Sequence, residues 1–123
     1  MKNSKSVFFS KRVEGFDYKS INGDVYNLTV IGASLKQGPK GQYMHVTAKN
    51  VDNPLMPSVR CIFPSSKEAL WKYNSFCLSA GYKNEEKVKD SDDLVGKKFS
   101  AKLEVHDNPQ GDTKFIDGLQ YIS

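Results

Sequence analysis

The chain has 123 residues, 38% hydrophobic and 26% charged, which predicts one soluble domain able to bury an ordinary core and excludes a disordered chain. Its net charge of +4 is uneven: residues 1–60 hold nine Lys/Arg against four Asp/Glu, residues 61–123 nine against ten. The surplus on the first half attracts polyanions without identifying one.

The N-terminal stretch MKNSKSVFFSKR has only Val7-Phe8-Phe9 between basic residues, too short for a signal core or a membrane span, so a cytoplasmic protein is expected. Residues 1–24 are basic and aromatic and end in Asn22-Gly23, a turn signal. They form an N-terminal arm or an extra strand. Phe8, Phe9 and Phe16 either plug a barrel end or subunit contact, or touch a ligand.

Residues 26–51 predict a long β-hairpin about the turn Gln37-Gly38-Pro39-Lys40-Gly41. The first strand, 25–36, has Gly32 in its middle, where a bulge or sharp coil would let the strand serve two sheets. The second, 42–51, alternates cleanly. Met44, Val46 and Ala48 point to a core; Tyr43, His45, Thr47 and Lys49 point to solvent. After Asp52-Asn53-Pro54, a short third strand spans 58–63 between prolines.

The period then changes. Ser65 as N-cap with Glu68 three residues on predicts a capping box. Ala69, Leu70, Tyr73, Phe76, Cys77 and Ala80 recur at helical spacing, so a helix is expected over 66–80, stopped by Gly81. Trp71 and Leu78 form a second apolar edge that would pack on another element or a sister subunit. Residues 82–93 are a charged, solvated connection. A fourth strand spans 94–106, with Phe99, Ala101, Leu103 and Val105 inward. The turn Asn108 to Asp112 leads to a fifth, 113–122, interrupted at Asp117-Gly118.

One helix cannot cover a flat five-stranded sheet, so closing the sheet is the economical solution. The expected class is mainly β: a single OB-fold domain over 1–123, a five-stranded Greek-key barrel with its helix between strands three and four. That architecture binds oligonucleotides or oligosaccharides on its strand 2–3 face and its 1–2 and 4–5 loops.

From Leu78-Ser79-Ala80-Gly81 through Asp93-Leu94-Val95-Gly96-Lys97-Lys98-Phe99 to Gly111-Asp112 and Tyr121-Ile122, the sequence resembles small single-stranded DNA-binding proteins of tailed bacteriophages, those of lactococcal phages most nearly. The likeness covers roughly residues 25–123 through short motifs. It implies an OB-fold, sequence-tolerant binding of single-stranded DNA, homo-oligomers (a dimer or larger), and a role in phage DNA replication or recombination in the host cytoplasm, with recombination or replication proteins as further partners. Bacterial single-stranded DNA-binding proteins end in a long acidic docking tail. This sequence ends at Gln120-Tyr121-Ile122-Ser123, so that docking is not expected.

The candidate nucleic-acid-binding residues are Tyr43, His45 and Lys49 on strand two, Lys36 and Lys40 about the hairpin loop, and Arg60 on strand three. Rings stack on bases of any sequence, and lysines track phosphates. The plainer alternative makes Tyr43 and His45 cross-strand partners and the lysines solvated. No enzyme is expected. Glu85, Glu86, Asp90, Asp92 and Asp93 lie in a loop that cannot hold paired acid–base geometry, and His45 and His106 lack an evident nucleophile. Neither a cofactor nor a metal is expected: Cys61 and Cys77 lack the spacing of a zinc site and suit buried positions in a reducing compartment. Two rival functions are a protein–protein adaptor using Phe8, Phe9, Trp71 and Leu78, and an RNA- or oligosaccharide-binding barrel.

Overall fold

Alternating apolar positions and glycine-marked turns build five strands and one α-helix across residues 16–83, 87–111 and 113–123, which the computed structural model describes. They are β1 (Val25–Gly38), β2 (Gly41–Asn50), β3 (Val59–Pro64), α1 (Lys67–Ser79), β4 (Lys98–Asp107) and β5 (Lys114–Ile122). The protein is mainly β with its helix between β3 and β4, in the expected order. Pairing runs β1-β2-β3-β5-β4, and β4 returns to β1, so the ladder closes on itself. Only β3 and β5 run parallel, joined at Val59–Ile116 and Arg60–Asp117.

The mid-strand glycine does what its position predicts. The β1–β2 register shifts between Val30 and Gly32. Residues 25–29 pair with β4, while residues from Gly32 to Gly38 continue along β2 alone. One strand thus serves two neighbours, and the hairpin projects past the closed part of the barrel.

Inside, Val46 and Ala48 from β2, Phe99, Ala101 and Leu103 from β4, and Val59, Cys61 and Phe63 from β3 are buried as their alternation requires. The helix closes the end of this core. Phe76 is fully buried and lies 4.9–5.4 Å, centroid to centroid, from Phe63, Phe99 and Tyr121, mostly at steep angles that suit aromatic packing. Ser79 then ties the helix to the sheet: its Oγ accepts from the Ser100 N–H at 2.9 Å and donates to the Ile122 carbonyl at 2.5 Å.

Several expectations are corrected. The N-cap is Ser66, not Ser65, and its side chain makes no capping hydrogen bond. Ser65 is still held by the sheet, its N–H donating to the Gln42 carbonyl at 3.3 Å, so the helix begins only at Lys67 and Glu68 falls one position early for a capping box. Leu70 is not packed: it is 48% exposed, because the second half of α1 carries the seated residues Phe76, Cys77 and Ala80, and Trp71, 64% exposed, is left outward on the helix.

Leu94 does not open the fourth strand. It is fully buried in a 3₁₀ turn, Ser91–Leu94, which Asp90 caps by accepting from the Asp92 N–H at 3.0 Å. Gly96 follows at φ 90°, and only then does β4 start. The connection over 82–93 is not wholly solvated either, since Tyr82 and Val88 pack on the core; residues 84–86 lie outside the described residues.

Of the expected N-terminal arm, residues 1–15, with Phe8 and Phe9, lie outside the described residues. From Phe16 to Asp24 no strand forms. A 3₁₀ turn, Tyr18–Ser20, is capped by Asp17, and Phe16 and Tyr18 meet edge to face at 5.1 Å against the core.

Candidate nucleic-acid interface

Because β2 lies between β1 and β3, the outward residues of all three strands form cross-strand rows. Lys36 stands opposite Tyr43, and Tyr43 opposite Pro64. Ser34, His45 and Ile62 make the next row. Gly32, Thr47 and Arg60 make the third, which continues through Asp117 of β5 to Glu104 of β4. Rows on one face are two residues apart, about 6.6–6.8 Å along the strand. The Tyr43 and His45 side chains therefore stand side by side at the middle of a three-stranded surface.

The two rings have different surroundings. Tyr43 is partly exposed, and its ring lies over the backbone of Gly38, so close that a Cβ there would come within 3.2 Å of the ring. Two depressions share Tyr43 as a wall. One of about 290 Å³ is lined by Leu35, Met44, Leu70 and Tyr73 among others; one of about 610 Å³ is bounded by the Gly38–Gly41 turn, Ile62, Ser65 and Glu68. His45 titrates below its ordinary value of 6.5, first because partial burial disfavours the imidazolium, then because Lys36 and Arg60 repel it. At neutral pH it is an uncharged flat ring among cations.

Of the six predicted residues, Lys36, Tyr43, His45 and Arg60 share this face. Lys40 is exposed in the β1–β2 turn and borders the larger depression. Lys49 lies farther down β2, and its ammonium donates to the Met56 carbonyl at 2.7 Å, and at 3.5 Å to that of Pro54. It fastens the β2–β3 connection.

Arg60 is also engaged. Its Nε donates to Asp117 Oδ1 at 2.8 Å and its Nη2 to Oδ2 at 3.0 Å, a two-pronged pair. The guanidinium lies 4.0 Å from the centre of the Phe115 ring. Phe115 and Ile62, the latter 38% exposed, are outward apolar groups that the candidate list omits. Period-2 alternation around the buried Ile116 and the buried Cys61 and Phe63 would have found both. Asp117 carried only a break signal in the sequence, and its partner lies 57 residues away.

Little here suits covalent chemistry. Cys61 is buried and its thiol is pushed up to about 12 by that burial, and Cys77 is raised for the same reason. His106 contacts Glu104, with Asp117 Oδ2 at 3.7 Å, on the exposed surface of β4 and β5. Among the described residues no helix is long and apolar enough to cross a membrane. No protein-family model matches the chain, and no curated protein matches it.

Proposed function

We propose that this chain is an OB-fold protein that coats single-stranded DNA with little sequence preference and has no catalytic activity. The observation that carries the reading is the outer surface of β1, β2 and β3, where the Tyr43 and His45 rings stand on adjacent rows beside Lys36, with Lys40 at the hairpin tip and Arg60, paired to Asp117, at the border. Aromatic rings take bases of any identity because every base has a π-face, and the cations follow phosphates. The strand order and the helix between β3 and β4 agree with the five-stranded OB architecture, whose nucleic-acid surface is this strand 2–3 face and its adjoining loops.

The resemblance to single-stranded DNA-binding proteins of tailed phages points the same way and adds a setting: phage replication or recombination in a bacterial cytoplasm, alongside proteins of those processes. A homodimer or larger assembly follows from the size of the surface, because one barrel offers a short track and joined tracks gain avidity through effective concentration. The exposed Leu70, Trp71 and Leu78 on α1 support a second reading, an adaptor that docks proteins through this helix.

Fluorescence anisotropy of a labelled oligo-dT of about 30 nucleotides, long enough for more than one OB site, separates these readings. Titrated across a salt series with duplex DNA and RNA as competitors, the protein should bind the single strand in preference and lose affinity as salt rises. Absence of binding at low salt would remove the proposal and leave the adaptor reading.

A further inference from the structure

Arg60 occupies the middle of the third row, yet one edge and one face of its guanidinium are already engaged. Asp117 holds two of its nitrogens through both carboxylate oxygens, and Phe115 lies against its plane. Asp117 stands next to Glu104 across the β4–β5 ladder, and His106 lies between these carboxylates, touching Glu104 and 3.7 Å from Asp117. The face therefore changes character at β3. On the β1–β2 side it offers Lys36 and Lys40; on the β5–β4 side two carboxylates come first. A phosphate approaching Arg60 competes with a bidentate partner whose charge already offsets that of the guanidinium, and it meets the charge of Glu104 behind that partner.

We propose that Asp117 is a specificity-determining residue of the single-strand-binding face: it withholds Arg60 from phosphates and, with Glu104, ends the cationic track at β3. The bound strand then runs over β1, β2 and the Lys40 turn, and β5 and β4 stay clear of it. The inference rests on the reading of this face as a single-stranded DNA site. It assigns the Arg60–Asp117 pair a role in setting how many phosphates each barrel engages.

The test uses the full chain and the same labelled oligo-dT, comparing the unsubstituted protein with Asp117→Asn and Asp117→Asn/Arg60→Ala. The carboxamide keeps the size of the side chain and loses its charge. Asp117→Asn should steepen the slope of log affinity against log salt by about 0.7, one added phosphate contact, which at about 0.1 M salt corresponds to roughly fivefold tighter binding. Adding Arg60→Ala should abolish that gain. A purely structural pair would lower the melting temperature without steepening the slope.

Should Asp117→Asn fail to fold, Arg60→Ala takes its place: an Arg60 withheld from phosphates can be removed without changing the salt slope. A folded Asp117→Asn whose affinity and slope equal the unsubstituted protein's or, failing that, an Arg60→Ala whose slope is shallower by about 0.7, one lost phosphate contact, overturns the inference. Failure of the unsubstituted protein to bind oligo-dT would instead overturn the reading of the face itself, so the two failures are told apart.

Discussion

His45 shows how neighbouring charge would link the proposed DNA binding to proton uptake. Its imidazole titrates below 6.5 in the free protein, through partial burial and then through Lys36 and Arg60. The unfolded chain, with an ordinary histidine, binds more protons between the folded value and about 6.5. Stability therefore falls as pH drops through that window, and His45 contributes no pH dependence above it. A phosphate brought against the same face acts in the opposite sense, because its charge favours the imidazolium. Affinity for oligo-dT should accordingly rise between about pH 7.5 and about pH 5.5, more in the unsubstituted protein than in His45→Gln. An identical pH dependence in the two would show that no phosphate lies near this ring.

Gly118 is a second place where a single residue decides. Its missing side chain leaves room for the Tyr121 hydroxyl, which would sit 2.3 Å from a Cβ at that position. Tyr121 is one of the rings around Phe76 and cannot move without loosening the end of the barrel. Gly118→Ala should destabilise the fold by about 1–3 kcal/mol, the usual effect of overpacking a close-packed core, read as a lower urea midpoint. A midpoint equal to that of the unsubstituted protein would mean that Tyr121 has an alternative position.

Among the elements, those with a strict period were legible and those shaped by distant partners were not. Val46 and Ala48 in β2 and Phe99, Ala101 and Leu103 in β4 are buried at every second position, with Met44 partly buried in the same phase, so both strands and their inward faces follow from pattern alone. Gly32 marked the bulge. The start of α1 was misplaced because Ser65 has good capping chemistry but is occupied by a bond to Gln42 on β2. Leu94 was read as a strand residue because apolar neighbours continue into β4, whereas Asp90 and Gly96 close a buried turn there.

The placement of the candidate residues divides in the same manner. The shared face of Lys36, Tyr43 and His45 is legible because hairpin register follows from local turn residues. The contacts of Lys49 and Arg60 are not, since each depends on where its charge finds a partner: main-chain carbonyls near Met56 for one, Asp117 on β5 for the other. Phe115 is less legible as an outward ring because the Asp117-Gly118 signal breaks the strand pattern beside it. That break is real but conformational, a close approach of Gly118 and Tyr121 beside a register shift in the β4–β5 ladder.

At the scale of the whole molecule, the closed ladder leaves two surfaces with distinct properties. One is the three-stranded face with its rings and cations. The other is the outer side of α1, where Trp71 is the most exposed aromatic ring among the described residues. The projecting part of β1 and β2, from Gly32 to Gly38 and its partners, enlarges the first of these beyond what the closed barrel alone would offer. Of the nine cations in the first 60 residues, Lys36, Lys49 and Arg60 lie on these strands and Lys40 in the turn between two of them.

The most direct test of that assignment is an oligo-dT titration of the unsubstituted protein beside the double variant Tyr43→Ala/His45→Ala, with the thermal midpoint of each recorded. Both rings are at least partly exposed, so the variant should keep its fold and lose about 1–3 kcal/mol of binding for each base that no longer stacks. Equal affinities in two well-folded proteins would place any DNA site elsewhere on the molecule and contradict the account.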